Sequence, residues 1–149
     1  MKIVLKFGGT SLASPKDIRN VAKTITSFSK GNQIVVVCSA VDGVTDDLIT
    51  ISRLIEQRRK NDVVANLNGV IIKHRKLANQ TIKNSVIKKQ LLEKLNTDVS
   101  ELQELVRGLT LLKEVSARSL DYLISFGERL SDDLVSYALQ DLKKKSTAL

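Results

Sequence analysis

One cysteine, one proline, one histidine, no tryptophan, two tyrosines and three phenylalanines leave this chain of 149 residues with few of the usual structural anchors. A lone cysteine excludes an internal disulfide, and Cys38, at the end of the apolar run 34–37, reads as core packing in a cytosolic protein. With no second histidine and no cysteine at metal spacing, His74, on the apolar side of its helix, reads as a packed or interface histidine and not as a metal ligand. The shortage of aromatics means a core of Leu, Ile and Val, and it removes the stacking platforms that single-stranded nucleic acid needs. One proline and seven glycines interrupt the chain rarely, which favours helices. No run of about twenty apolar residues exists to span a bilayer, and the apolar residues 1–5 are too few for a signal-peptide core.

What is present bounds the chain from the other side. At 42% hydrophobic residues, 149 residues support one sizeable core and a single globular unit. The formal charge of +8 raises the question of nucleic acid or an anionic surface. Its densest basic region, Lys73, Arg75, Lys76, Lys83, Lys88, Lys89 and Lys94, has no interleaved aromatics and reads as a solvated helical face. Nucleic acid is therefore not an expected partner. Lys143, Lys144 and Lys145 are read as ending a helix, where cations oppose the negative end of its dipole.

Hydrophobic spacing sets the order of elements. Residues 1–5 form a short strand buried on both faces, ahead of Lys6-Phe7-Gly8-Gly9-Thr10-Ser11. Ser14 then caps a helix over 15–28, with Pro15 at its first position and Asp17 in its first turn. A second strand covers 33–39, its apolar and β-branched centre again expected to be covered on both faces. Strand, helix, strand predicts a parallel βαβ unit whose loops emerge side by side, where open α/β sheets bind ligands. Thr45 caps the next helix, over 45–59, and its amino end is a second anion site. Residues 61–115 read as three helices, the third opened by Asp98 with Glu101 as its reciprocal capping partner. Ser116 caps a long last helix reaching about 142, interrupted by Gly127, which calls for a packing or functional reason. Glu128 follows on the border of its buried stripe, in line with Ser125 and Asp132 and beside Ser131.

The chemistry concentrates in the glycine loop. Two adjacent glycines let backbone N–H groups approach phosphate oxygens, while Lys6 before them and the hydroxyls of Thr10 and Ser11 after them add charge and hydrogen bonds. Neither the Walker spacing nor the dinucleotide fingerprint is present. A tight turn with Lys6 solvated would use the same letters, so the local pattern alone leaves both readings open.

Three segments together resolve more: Lys6 to Ser11, then Val37-Cys38-Ser39-Ala40 with Gly43-Val44-Thr45-Asp46, then Ser125-Phe126-Gly127-Glu128-Arg129-Leu130-Ser131. In that order they closely resemble the N-terminal part of aspartokinases, members of the amino acid kinase family, over essentially the whole chain. The resemblance implies the N-terminal portion of an αβα sandwich, with 1–149 as the aspartate-binding lobe and about 61–115 as a helical insert. It implies transfer of the ATP γ-phosphoryl to the side-chain carboxylate of L-aspartate, giving an acyl phosphate that leads to lysine, threonine and methionine. By the same resemblance Lys6, the catalytic lysine, would hold the transferring phosphate, with Gly8, Gly9 and Thr10 beside it. Ser39 and Thr45 would line the aspartate pocket, and Glu128 would accept from the substrate ammonium. ATP and Mg²⁺ are the implied cofactors, with no metal ligand expected in this chain. Relatives continue for several hundred residues, supplying the second half of the sheet, most nucleotide contacts and ACT domains. The chain is therefore expected to be inactive alone and to require a C-terminal half, in a cytoplasmic homo-oligomer without membrane contact. Two rival readings stand beside this one, a non-catalytic anion-binding or assembly module and a basic helical protein that binds nucleic acid.

Overall fold

The computed structural model describes residues 1–148, and these fold as a small parallel sheet with a large helical cover. Strand β1 (Lys2–Phe7) leads into a 3-10 turn at Gly9–Leu12, then helix α1 (Pro15–Phe28), strand β2 (Gln33–Cys38) and helix α2 (Val44–Glu56). Three long helices follow, α3 (Lys60–Thr81), α4 (Ser85–Leu112) and α5 (Ala117–Asp141). β1 and β2 pair in parallel with Lys6 opposite Val37 and Phe7 opposite Cys38, as the strand–helix–strand pattern predicts.

Local chemistry explains the helix boundaries. Asp17 N–H donates to Ser14 Oγ at 3.2 Å, and Pro15 takes the first position of α1, where a missing N–H costs nothing. Ser116 caps α5 in the same way, accepting from Ser119 N–H at 3.2 Å. α2 ends at Glu56 and not near 59, since Arg58 turns into the left-handed region at φ 60°, and two further boundaries depart from the sequence reading. α2 begins one residue before Thr45, its cap position held by Gly43 in the left-handed region at φ 78°, so Thr45 lies inside the first turn and does not cap. α4 runs unbroken through Asp98, so the residues read as two separate helices are one of 28 residues.

The reason for the second departure is tertiary. Asp98 and Glu101 have the letters of a capping box, but Asp98 is buried in mid-helix, where its carboxylate accepts from Lys94 at 2.5 Å and from Arg129 of α5 at 2.9 Å. Glu101 accepts from Arg129 at 2.7 Å and from the Tyr122 hydroxyl, which draws its carboxyl down to about 2. These charges tie α4 to α5. Arg129 also stacks over the Phe126 ring, 4.4 Å from its centre, and Tyr122 meets that ring edge-on at 5.4 Å.

α5 is the axis of the core. Leu123, Phe126, Leu130 and Leu134 on it are almost wholly buried against Leu48 and Ile51 of α2, Ile18 of α1 and Leu91, Leu95 and Leu102 of α4. Truncating one such leucine to alanine costs about 2–5 kcal/mol in a core of this kind. His74 belongs to this interior as expected, 1% exposed with Nδ1 2.8 Å from the Val70 carbonyl, and burial lowers its pKa.

The sheet corrects the expectation of strands covered on both faces. Leu5, Phe7, Ile34 and Val36 pack against the core, whereas Val4 is 68% and Val35 51% exposed on the other side. Among the described residues no element lies over that second face. The three terminal lysines fall just beyond α5, Lys143 at φ 59°, so they follow the helix end without occupying its last turn.

Candidate active site

The glycine loop, the β2–α2 loop and α5 meet at one small residue, Ala40. A Cβ on Gly9 would come within 2.8 Å of the Ala40 carbonyl oxygen, and a Cβ on Gly127 would come within 2.7 Å of the Ala40 methyl. Neither approach is open to a larger residue, so both glycines are there for contact with Ala40. Gly127 thus has the packing reason that a glycine in mid-helix calls for. Two hydrogen bonds fasten the same junction: Ser39 N–H donates to the Phe7 carbonyl at 2.9 Å, and Ser131 Oγ donates to the Ser39 carbonyl at 2.8 Å.

Around this junction lie the residues singled out from sequence. Lys6 is exposed on the open face of the sheet, directly paired with Val37, so its backbone is one strand spacing of about 4.8 Å away. Gly8 fronts open space, with no heavy atom within 4 Å of where its Cβ would be, and its carbonyl accepts from Ser11 N–H at 3.0 Å. Thr10 follows, exposed, in the 3-10 turn. The two glycines therefore differ: Gly8 presents bare backbone, while the space beside Gly9 is taken by Ala40. Ser39 and Thr45 flank the β2–α2 loop, both half-buried. Gly43, having no side chain, leaves the first amides of α2 without a side-chain cap, an arrangement that attracts anions.

Glu128 is half-buried and borders a groove of about 750 Å³ along the free edge of β2, together with Val37, Cys38 and Asp132. Glu128 and Val37 both line that groove, while Lys6, paired with Val37, stands one strand away on β1. Asp132 lies one turn further along α5. Burial, and then the neighbouring Glu128 charge, raise its pKa, while Cys38 hydrogen-bonds to it and opposes the shift. Burial, then the Asp132 charge, push the Cys38 thiol up to about 12, so it is a packed neutral group and not a nucleophile. Lys6 and Gly8 are thus exposed at the end of β1, and Glu128 and Asp132 line the groove at the free edge of β2. Among the described residues no group of three His, Cys, Asp or Glu side chains is arranged to hold a metal ion.

Sequence reasoning missed Ala40 as the meeting point, although it stands inside a motif that was singled out. It also placed Lys73 on a solvated face, whereas Lys73 Nζ donates to the Asp42 carbonyl of the β2–α2 loop at 2.5 Å. Nothing in the basic run distinguishes Lys73 from its neighbours. Asp132 was seen in line with Glu128, but its pairing with Cys38 needed the fold.

The model of the amino acid kinase family matches residues 1–149. The aspartokinase of Candida albicans is 32% identical over 147 residues, covering 93% of this chain and 26% of that protein. The chloroplastic aspartokinase 1 of Arabidopsis thaliana is 31% identical over 147 residues, covering 96% of this chain and 24% of that protein. The chain thus spans about a quarter of the length of these curated relatives. Among solved structures, that of E. coli aspartokinase III in complex with aspartate and ADP aligns with a TM-score of 0.80 at 22% identity, over 96% of this chain and 30% of the other. At that identity the likeness is one of fold.

Proposed function

The chain belongs to the amino acid kinase family, and from that premise we propose that it is the aspartate-binding lobe of an ATP-dependent aspartate kinase. The reaction is phosphorylation of the L-aspartate side-chain carboxylate, the first step toward lysine, threonine and methionine. One observation carries this reading. Ala40, held between Gly9 and Gly127, draws the phosphate loop, the Ser39–Thr45 segment and the Glu128 helix to a common point.

Each residue has a task that its chemistry suits. Lys6 sets a positive charge beside the exposed amide backbone of Gly8, where phosphoryl oxygens gain negative charge, a type of stabilisation worth about 3 kcal/mol. Thr10 adds a hydroxyl donor. Ser39 and Thr45, with the uncapped amides at the start of α2, receive the aspartate carboxylates, while Glu128 accepts from its ammonium. ATP, when bound, supplies the phosphoryl group, and the ADP named with E. coli aspartokinase III agrees with nucleotide use. Mg²⁺ is assigned to residues outside this chain. Most nucleotide contacts are likewise assigned to the remainder of the protein, which the relatives carry beyond the matched quarter. We take turnover to require that remainder, docked along the free edge of β2, in a homo-oligomeric cytoplasmic enzyme. The match to a kinase family along the whole chain leaves the nucleic-acid and non-catalytic readings without a supporting observation.

Calorimetric titration of the chain with L-aspartate, with and without a non-hydrolysable ATP analogue and Mg²⁺, tests the proposal. Glu128→Gln should weaken aspartate binding about tenfold or more, as loss of a charged hydrogen bond does. Lys6→Ala should leave aspartate binding intact and remove the effect of the analogue. Equal aspartate affinity in Glu128→Gln and the unaltered chain would overturn the reading.

A further inference from the structure

We propose that Lys73 is a positioning residue, a latch that holds the Asp42–Gly43 peptide in one of two orientations open to it. The segment Val41 to Val44 is a tight turn closed by Val44 N–H donating to the Val41 carbonyl at 2.9 Å. Gly43 has φ 78° and ψ −11°, and Asp42 is not among the residues with positive φ, which makes the turn type II. Types I and II differ by about a half-rotation of the central peptide, and glycine in the third position is at ease in both. The turn therefore has a near neighbour in which its central carbonyl and N–H exchange sides.

Lys73 selects between them. Its Nζ, 2.5 Å from the Asp42 carbonyl oxygen, also lies 3.6 Å from where a Gly43 Cβ would be, directly over the peptide. A trans peptide carries its N–H opposite its carbonyl, so fixing the Asp42 oxygen on Lys73 fixes the Gly43 N–H on the far side. That N–H donates to no carbonyl among the described residues. The flipped peptide would set an oxygen where the donor now stands, at the head of α2, and would repel an anion approaching it. Lys73 rides on a firm base, since Val70, Ile71 and His74 beside it are buried. It takes part in none of the ion pairs among the described residues, so its charge is committed to this carbonyl.

The consequence for substrate rests on the aspartate reading; the latch itself does not. Nuclear magnetic resonance of the isotope-labelled chain separates the two. A type II turn brings the Asp42 Hα close to the Gly43 N–H and gives a strong cross-peak between them, which a type I turn weakens severalfold. The unaltered chain and Lys73→Arg should give the strong signal, and Lys73→Met and Lys73→Gln the weak one. A full-strength cross-peak in both neutral variants would overturn the latch. In the same samples, the neutral variants should bind L-aspartate about tenfold more weakly than Lys73→Arg. A lost cross-peak with unchanged aspartate affinity would overturn the link to substrate. A lost cross-peak with no aspartate binding by any form would uphold the latch and sink the aspartate reading.

Discussion

At the scale of single residues, the two glycines of the loop after β1 are not equivalent, and stability measurements separate them. Gly8 has φ −78° and ψ 168°, an ordinary extended conformation, with open space where a Cβ would go. Gly8→Ala should leave urea unfolding within about 0.5 kcal/mol of the unaltered chain. Gly9→Ala, whose Cβ would stand 2.8 Å from the Ala40 carbonyl oxygen, should destabilise by about 1–3 kcal/mol. Equal midpoints for the two variants would contradict the close contact. Such a distinction is invisible in the letters, since both positions read simply as glycine. The sequence identified the loop by composition, but which glycine faces a neighbour and which faces solvent depends on where Ala40 lies, 31 residues beyond Gly9.

At the scale of elements, the α4–α5 contact carries a pH dependence. Burial, reinforced by a hydrogen bond shared with Asp98, pushes Asp133 up to about 7 from the ordinary 3.8, against the opposing pull of Lys94 at 3.5 Å. Asp98 is also buried, yet hydrogen bonds from Asp133, Lys94 and Arg129 draw its pKa down. Between about pH 4 and 7 the folded chain keeps a proton on Asp133 that the unfolded chain has released, so this group's contribution to stability falls as pH rises. His74, lowered by burial, acts with the opposite sign below its ordinary 6.5. A comparison with Asp133→Asn cancels that background. The variant should gain stability relative to the unaltered chain as pH rises from 4 to 7, and a pH-independent difference in thermal midpoint would refute the assignment. Helix starts at Ser14 and Ser116 were legible because capping is a local affair of one hydroxyl and one N–H. Asp98 and Glu101 misled for the same reason. Their letters fit a local cap, but partners on α5 outbid it, and Arg129 stands 31 residues from Asp98.

At the scale of the whole molecule, the parallel βαβ unit followed from two apolar runs around an amphipathic helix, and its pairing needed no further information. The coverage of its faces did. Val4, Val35 and Val37 have the β-branched character of buried strands, yet they are exposed on one side of the sheet, beside Lys2 and Lys6. This apolar face should bind a hydrophobic dye. Val35→Lys with Val37→Lys should reduce that binding severalfold and reduce self-association in sedimentation, with little change in urea midpoint because those side chains already meet water. A large loss of stability would mean that the face is covered in solution.

The crowding at Ala40 has one last corollary. The Ala40 methyl already fills the space beside Gly127, so positions 40 and 127 form a steric sum in which an atom added at one place must be withdrawn at the other. Ala40→Gly should therefore repair much of the damage done by Gly127→Ala, making two individually harmful changes milder as a pair. Drift at either position would then constrain what the other can become, although 87 residues separate them.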